Sequence, residues 1–136
     1  MGDLNMDTAY LDTMPEVKNR FKAELLPGEK VVFTAKMLGF FSDSGHLLGA
    51  DKSRFTMTNR RILADNGQGI WITDIAEDVV DMRREERGKF LMKEVYIKVT
   101  MNKEVTYGIG IHKLSGYRFG FRKKDMAAFE EIIRRM

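Results

Sequence analysis

Apolar positions in this chain repeat first at helical spacing, then at every second residue, then at helical spacing again. Met14, Val17, Phe21 and Leu25 lie on one helical stripe behind Thr13-Met14-Pro15-Glu16. That spacing matches a capping box with proline in the first turn, and Pro27-Gly28 ends the stripe. A short amphipathic helix is therefore expected from Thr13. The dozen residues before it show no period and many small polar groups, the pattern of a flexible N-terminus over 1–12. From Lys30 the period becomes two, with Val31, Phe33, Ala35 and Met37 on one side of a strand.

A long connection over 39–52 follows, carrying Phe40, Phe41, Leu47 and Leu48. Strands are then expected near Arg54–Met57, Arg61–Ala64 and Gly69–Thr73, with a hairpin turn at Asp65-Asn66-Gly67. Arg83, Arg84, Arg87 and Lys89, interrupted by Glu85 and Glu86, read as a solvated loop. Val95, Ile97, Val99 and Met101 form the clearest stripe, and Val105, Tyr107, Ile109 and Ile111 a second one. A three-residue loop, Asn102–Glu104, would bring the two stripes to the same face of a hairpin. Tyr117, Phe119 and Phe121 make a last alternating strand. Met126, Phe129, Ile132, Ile133 and Met136 then return to helical spacing. About seven strands without intervening helices predict a mainly β, antiparallel meander. Such a meander closes into a barrel or bends into an orthogonal sandwich capped by the C-terminal helix, with an extra short N-terminal helix.

With 136 residues, 43% of them apolar and 32% charged, the chain suits one domain, expected over 13–136. The absence of cysteine excludes disulfides, thiolate zinc sites and a thiol nucleophile, and two histidines cannot form a three-histidine metal site. The net charge of +3 is unevenly spread. Residues 1–29 hold six acids against three bases, and residues 113–136 hold seven bases against three acids. This asymmetry is read first as two ends lying against each other, and second as attraction to an anionic partner. Without a basic start, an apolar leader or a membrane-length apolar run, the expected setting is the cytoplasm, with peripheral membrane contact as the variant.

The runs L-P-G-E-K-V-V-F from Leu26, T-N-R-R-I-L from Thr58, W-I-T-D-I from Trp71 and Y-R-F-G-F from Tyr117, followed by the terminal helix, occur in a distinctive order. In that order the chain resembles bacterial pleckstrin-homology-like and GRAM-type domains over roughly residues 25–136. The resemblance implies a non-catalytic binding module and no cofactor. In lipid-binding members, a basic residue late in the first strand and a basic-x-Arg pair in the second clamp phosphate groups. The resemblance places Lys36, Lys52 and Arg54 there. Phe40, Phe41, Leu47 and Leu48 in the intervening loop would touch a membrane interface or a partner.

The principal functional expectation is protein binding or self-assembly, through strand edges or a groove beside the terminal helix, with Tyr96, Tyr107 or Tyr117 as anchors. The alternative is peripheral binding to anionic lipid headgroups through the loop between the first two strands. Nucleic acid is not an expected partner, because the basic run at 83–89 is short and partly cancelled by its own acids. Asp74, Glu77, Asp78 and Asp81 cluster without the glycine-centred spacing of a calcium loop. His46 and His112 have no partner legible from spacing, so no catalytic or metal site is assigned.

Overall fold

The computed structural model describes residues 5–20, 24–49, 53–88 and 93–136. Its elements run α1 (Ala9–Thr13), β1 (Val31–Lys36), β2 (Phe40–Ser42), β3 (Leu47–Gly49), β4 (Arg54–Thr58), β5 (Arg61–Asp65), β6 (Ile70–Asp74), α2 (Ile75–Asp78), β7 (Val79–Arg87), β8 (Glu94–Tyr107), β9 (His112–Phe119) and α3 (Lys123–Arg135). The strands form two antiparallel sheets, in the orders β1-β4-β5-β6 and β3-β2-β9-β8-β7. Their inner faces share one core, and α3 closes one end by burying Met126, Phe129 and Ile132. Phe129 lies 5.2 Å from Phe33 and 5.3 Å from Phe55 of one sheet and 6.1 Å from Phe119 of the other between ring centroids, so the helix is fastened to both sheets by aromatic contacts.

The antiparallel sandwich and its closing helix agree with the sequence reading, while the described residues hold nine strands where seven were expected. The difference begins at 39–52. Phe40 pairs with Gly49 and Phe41 with Leu47, so most of the expected loop is a β2–β3 hairpin. Strands of three residues are too short to show a period. The charged run at 83–89 is likewise a strand as far as Arg87, since β7 pairs with β8 from Val79 through Arg87. On this sheet edge Arg84 turns toward α3 and binds Glu130 at 2.8 Å, so both faces of β7 carry charge and no alternation appears.

No reversal occurs at Asn102–Glu104. β8 runs unbroken to Tyr107, and the hairpin turn lies at 108–111. Val95 through Tyr107 share one parity, so a single strand carries the first stripe and the start of the second, while Ile109 and Ile111 fall in the turn and are exposed. The residues assigned to the loop form an irregularity against β9, between the pairs Thr100↔Gly116 and Val105↔Leu114. Gly116 is required there, because a Cβ would sit 2.5 Å from the Val99 carbonyl oxygen.

The N-terminal helix also differs: α1 ends at Thr13 instead of beginning there. Proline disfavours helical backbone in the residue before it, and Met14, which precedes Pro15, is extended at φ −75° and ψ 145°. Thr13 Oγ1 donates to the Tyr10 carbonyl oxygen at 2.6 Å instead of capping a helix start. Among the described residues of the expected helix, 14–20 and 24–26 are not helical; Phe21 lies outside them. Upstream, Leu11 is fully buried and the Met6 amide donates to the Val79 carbonyl, so residues 6–11 pack on the sandwich. The acidic head and basic tail meet through Arg135, whose guanidinium lies 6.0 Å from the Tyr10 ring.

Candidate functional site

Lys36 and Arg54 are cross-strand partners at the ends of β1 and β4, both exposed, and so are brought together as expected. Lys52 lies outside the described residues. The pair sits where the chain bends from one sheet to the other, with the Met37 amide donating to the Ser53 carbonyl and the Leu38 amide to the Gly120 carbonyl. The turn between β2 and β3 lies further on, at 43–46, and carries no lysine or arginine. Of the four apolar residues placed in this region, Phe40 and Leu48 are in the core, Phe41 is half-buried and Leu47 is exposed. Of the three candidate tyrosine anchors, Tyr117 is buried, with its hydroxyl 2.8 Å from Thr73 Oγ1; burial pushes that phenol up despite the hydrogen bond. Tyr96 and Tyr107 are half-buried.

The T-N-R-R run acts inside the molecule. Thr58 Oγ1 accepts from the amides of Arg60 and Arg61 and donates to Glu29 Oε2 at 2.6 Å. Arg61 donates through Nε and Nη2 to the two Glu29 oxygens at 2.9 and 2.8 Å, while the Leu26 amide donates to Glu29 Oε1. Burial opposes ionisation of Glu29, but Arg61, Thr58 and the Leu26 amide favour the carboxylate and hold its carboxyl at about 2 against an ordinary 4.5. Asn59 extends the latch, accepting from the Lys30 amide and donating to Asp12. Two of the motifs that carry the resemblance, L-P-G-E and T-N-R-R, are thus the two halves of one structural fastener.

The acidic cluster is also structural. Asp74 caps α2 by accepting from the Glu77 amide, Asp78 accepts from the Asp74 amide and pairs with Lys103 at 3.1 Å, and Asp81 pairs with Arg83. Among the described residues no group of three or more histidine, aspartate or glutamate side chains is placed to hold a metal ion. His46 and His112 do meet, with ring centroids 4.3 Å apart and His46 Nδ1 2.9 Å from the Tyr107 hydroxyl. Their cluster, joined by Trp71 at 5.3 Å from Tyr107, ties the β2–β3 turn to the β8–β9 hairpin.

One exposed apolar surface stands out on sheet position alone. β6 is the last strand of its sheet, and its outward residues Ile70 and Ile72 are 49% and 59% exposed. They face a recess of about 330 Å³, shared with Leu25, Leu26, Leu63 and Arg61. Edge strands usually carry lysine, proline or a bulge against unwanted pairing; Ile70-Trp71-Ile72-Thr73-Asp74 has neither residue, and its register with β5 is regular. In the sequence the W-I-T-D-I run signals only the fold, because sequence alone does not say which strand ends a sheet.

No protein-family model matches this sequence, and no curated protein is similar to it. Among solved structures, the Vps36 N-terminal PH domain is similar, with a TM-score of 0.58 over 90% of this chain and 89% of that one, at 16% sequence identity. That likeness is one of fold. Two antiparallel sheets packed face to face, with a C-terminal helix closing one end, make this chain a pleckstrin-homology-like fold.

Proposed function

We propose that the chain is a non-catalytic binding module that works by self-association, with the β6 edge as its contact surface. The fold is generally used for binding and not for catalysis, and the order of the sequence motifs favours its bacterial, GRAM-like branch; a cysteine-free sequence with no membrane-length apolar run suits a cytoplasmic setting. The exposure of Ile70 and Ile72 on an unguarded edge carries the reading. An antiparallel β6–β6 pairing centred on Ile72 would set Ile72 against Ile72 of a second copy, Trp71 against Thr73, and Ile70 against Asp74. No like charges then oppose each other, and a two-fold axis closes the assembly. Light scattering over a concentration series tests this. The wild-type mass should rise toward that of a dimer, while Ile72→Lys, which puts a charge at the centre of the edge, should stay monomeric. A wild type that remains monomeric throughout, or an unchanged Ile72→Lys, overturns it.

A further inference from the structure

Three polar rings meet where the β2–β3 turn touches the β8–β9 hairpin, and the β6 reading above does not use them. His46 comes from that turn, His112 opens β9, and Tyr107 closes β8 as the cross-strand partner of His112. The two imidazoles lie 4.3 Å apart between centroids with their planes 31° apart, and both histidines are exposed. The Tyr107 ring lies 5.7 Å from His46 and 5.3 Å from His112. Packing explains little of this, since exposed imidazoles bury little apolar area against each other. The turn that delivers His112 is also strained, with positive φ at Gly108, Ile109 and Gly110. It is shaped around the ring, because a Cβ on Gly108 would lie 2.8 Å from His112 Cδ2. Strained backbone of this kind clusters at ligand-binding places.

The chemistry of the two histidines suits a metal ion. Neutral imidazole is a ligand for late first-row divalent metals, and two imidazoles side by side on one ion, at ~2.0–2.1 Å per nitrogen, have centroids about 4.5–5 Å apart. From the 4.3 Å seen here the pair has to open by less than about 1 Å, which two exposed side chains on separate hairpins can do. His46 also has the outer partner that orients such a ligand. Its Nδ1 lies 2.9 Å from the Tyr107 hydroxyl oxygen, so a proton on Nδ1 is donated to that oxygen and the Nε2 lone pair is left for the ion. Lys113, the cation next to His112 in the chain, is paired with Glu104 at 3.6 Å.

We propose that His46 and His112 form a two-histidine site for a late first-row divalent transition metal, with water completing the coordination and Tyr107 positioning His46. With imidazole as the only protein donor, copper(II) binds most tightly, ahead of nickel(II) and zinc(II). Magnesium and calcium, which take oxygen donors, do not bind. A bound ion pins the β2–β3 turn to the β8–β9 hairpin, and because it needs both histidines brought together it stabilises the folded chain.

Trp71, the single tryptophan, reports on this site because its ring lies 5.3 Å from that of Tyr107. Copper(II) should quench its fluorescence saturably at one ion per chain. Zinc(II), which has a filled d shell and does not quench, should reverse the effect by competition, and magnesium should do neither. His46→Gln and His112→Gln should each weaken copper binding by about a hundredfold, and Tyr107→Phe, which keeps the ring without the hydroxyl, by roughly tenfold. Electron paramagnetic resonance of the copper complex should show two imidazole nitrogens. Zinc(II) should raise the melting temperature of wild type and not of either histidine variant. Circular dichroism confirms that each variant is folded. Ile72→Lys should bind copper as wild type does, so failure at this site is separable from failure at the β6 edge. Absence of saturable quenching overturns the site, as does wild-type copper affinity in either folded histidine variant. A resonance spectrum with one imidazole nitrogen overturns the two-histidine assignment.

Discussion

Glu29 shows at the scale of one residue how a surface-looking sequence position becomes central. Its side chain is fully buried against Arg61, whose own side chain is largely covered, and this pair joins the segment before β1 to the turn between β4 and β5. A carboxyl held at about 2 in the fold and near 4.5 when unfolded stabilises the folded state fully above pH 4.5. That contribution is lost as pH falls from there toward 2. The difference corresponds to about 3 kcal/mol at neutral pH. Glu29→Gln removes the charge and leaves Arg61 facing a neutral amide. Urea denaturation should find it less stable than wild type by about 3 kcal/mol at pH 7, with the gap closing as pH falls toward about 2. A gap that does not change with pH would mean that shape, and not the ion pair, holds the latch.

Among the elements, the β8–β9 hairpin carries an unfavourable turn. Gly108, Ile109 and Gly110 all have positive φ, at 61°, 60° and 78°, and Ile109 is 101% exposed. A β-branched residue in left-handed backbone costs about 1 kcal/mol or more, and here no packing repays it. Ile109→Asn, which tolerates that conformation, should raise stability by about 1 kcal/mol in a denaturant titration. A loss would show that the side chain makes a contact in solution. The same hairpin shows what the sequence conveyed and what it hid. The parity of Val95 through Tyr107 was legible, but not that one strand held it all, because extra residues bulged out of β8 keep that parity as a turn of the right length would. The Met126–Phe129–Ile132 helix face survived translation into structure, since burial of one face imposes its period, and so did Phe33, Ala35 and Met37, while a register shift at the start of β1 put Val32 in the core where Val31 was expected. The three-residue strands β2 and β3 did not, being too short to show a period, nor did β7, whose charges on both faces hide the alternation. The β6 edge was visible only as the apolar run W-I-T-D-I; that this strand ends its sheet depends on its pairing with β5 alone, which no local spacing shows.

At the scale of the whole molecule, the question is whether two sheets and a closing helix behave as one cooperative unit. Phe129 is the test, because its ring touches Phe33 and Phe55 in one sheet and Phe119, at 6.1 Å, in the other. Trp71 reports from β6 near the other end, packed against Phe40 and Tyr107. If α3 merely covered a self-sufficient sandwich, Phe129→Ala would loosen the helix while tryptophan fluorescence melted as before. With the core aromatics shared by all three layers, the substitution should cost about 3–5 kcal/mol. Fluorescence and far-ultraviolet circular dichroism should move to lower denaturant together and remain coincident. Separate transitions would show the helix end unfolding alone, and the proposed β6 contact would then rest on a scaffold less rigid than the shared core implies.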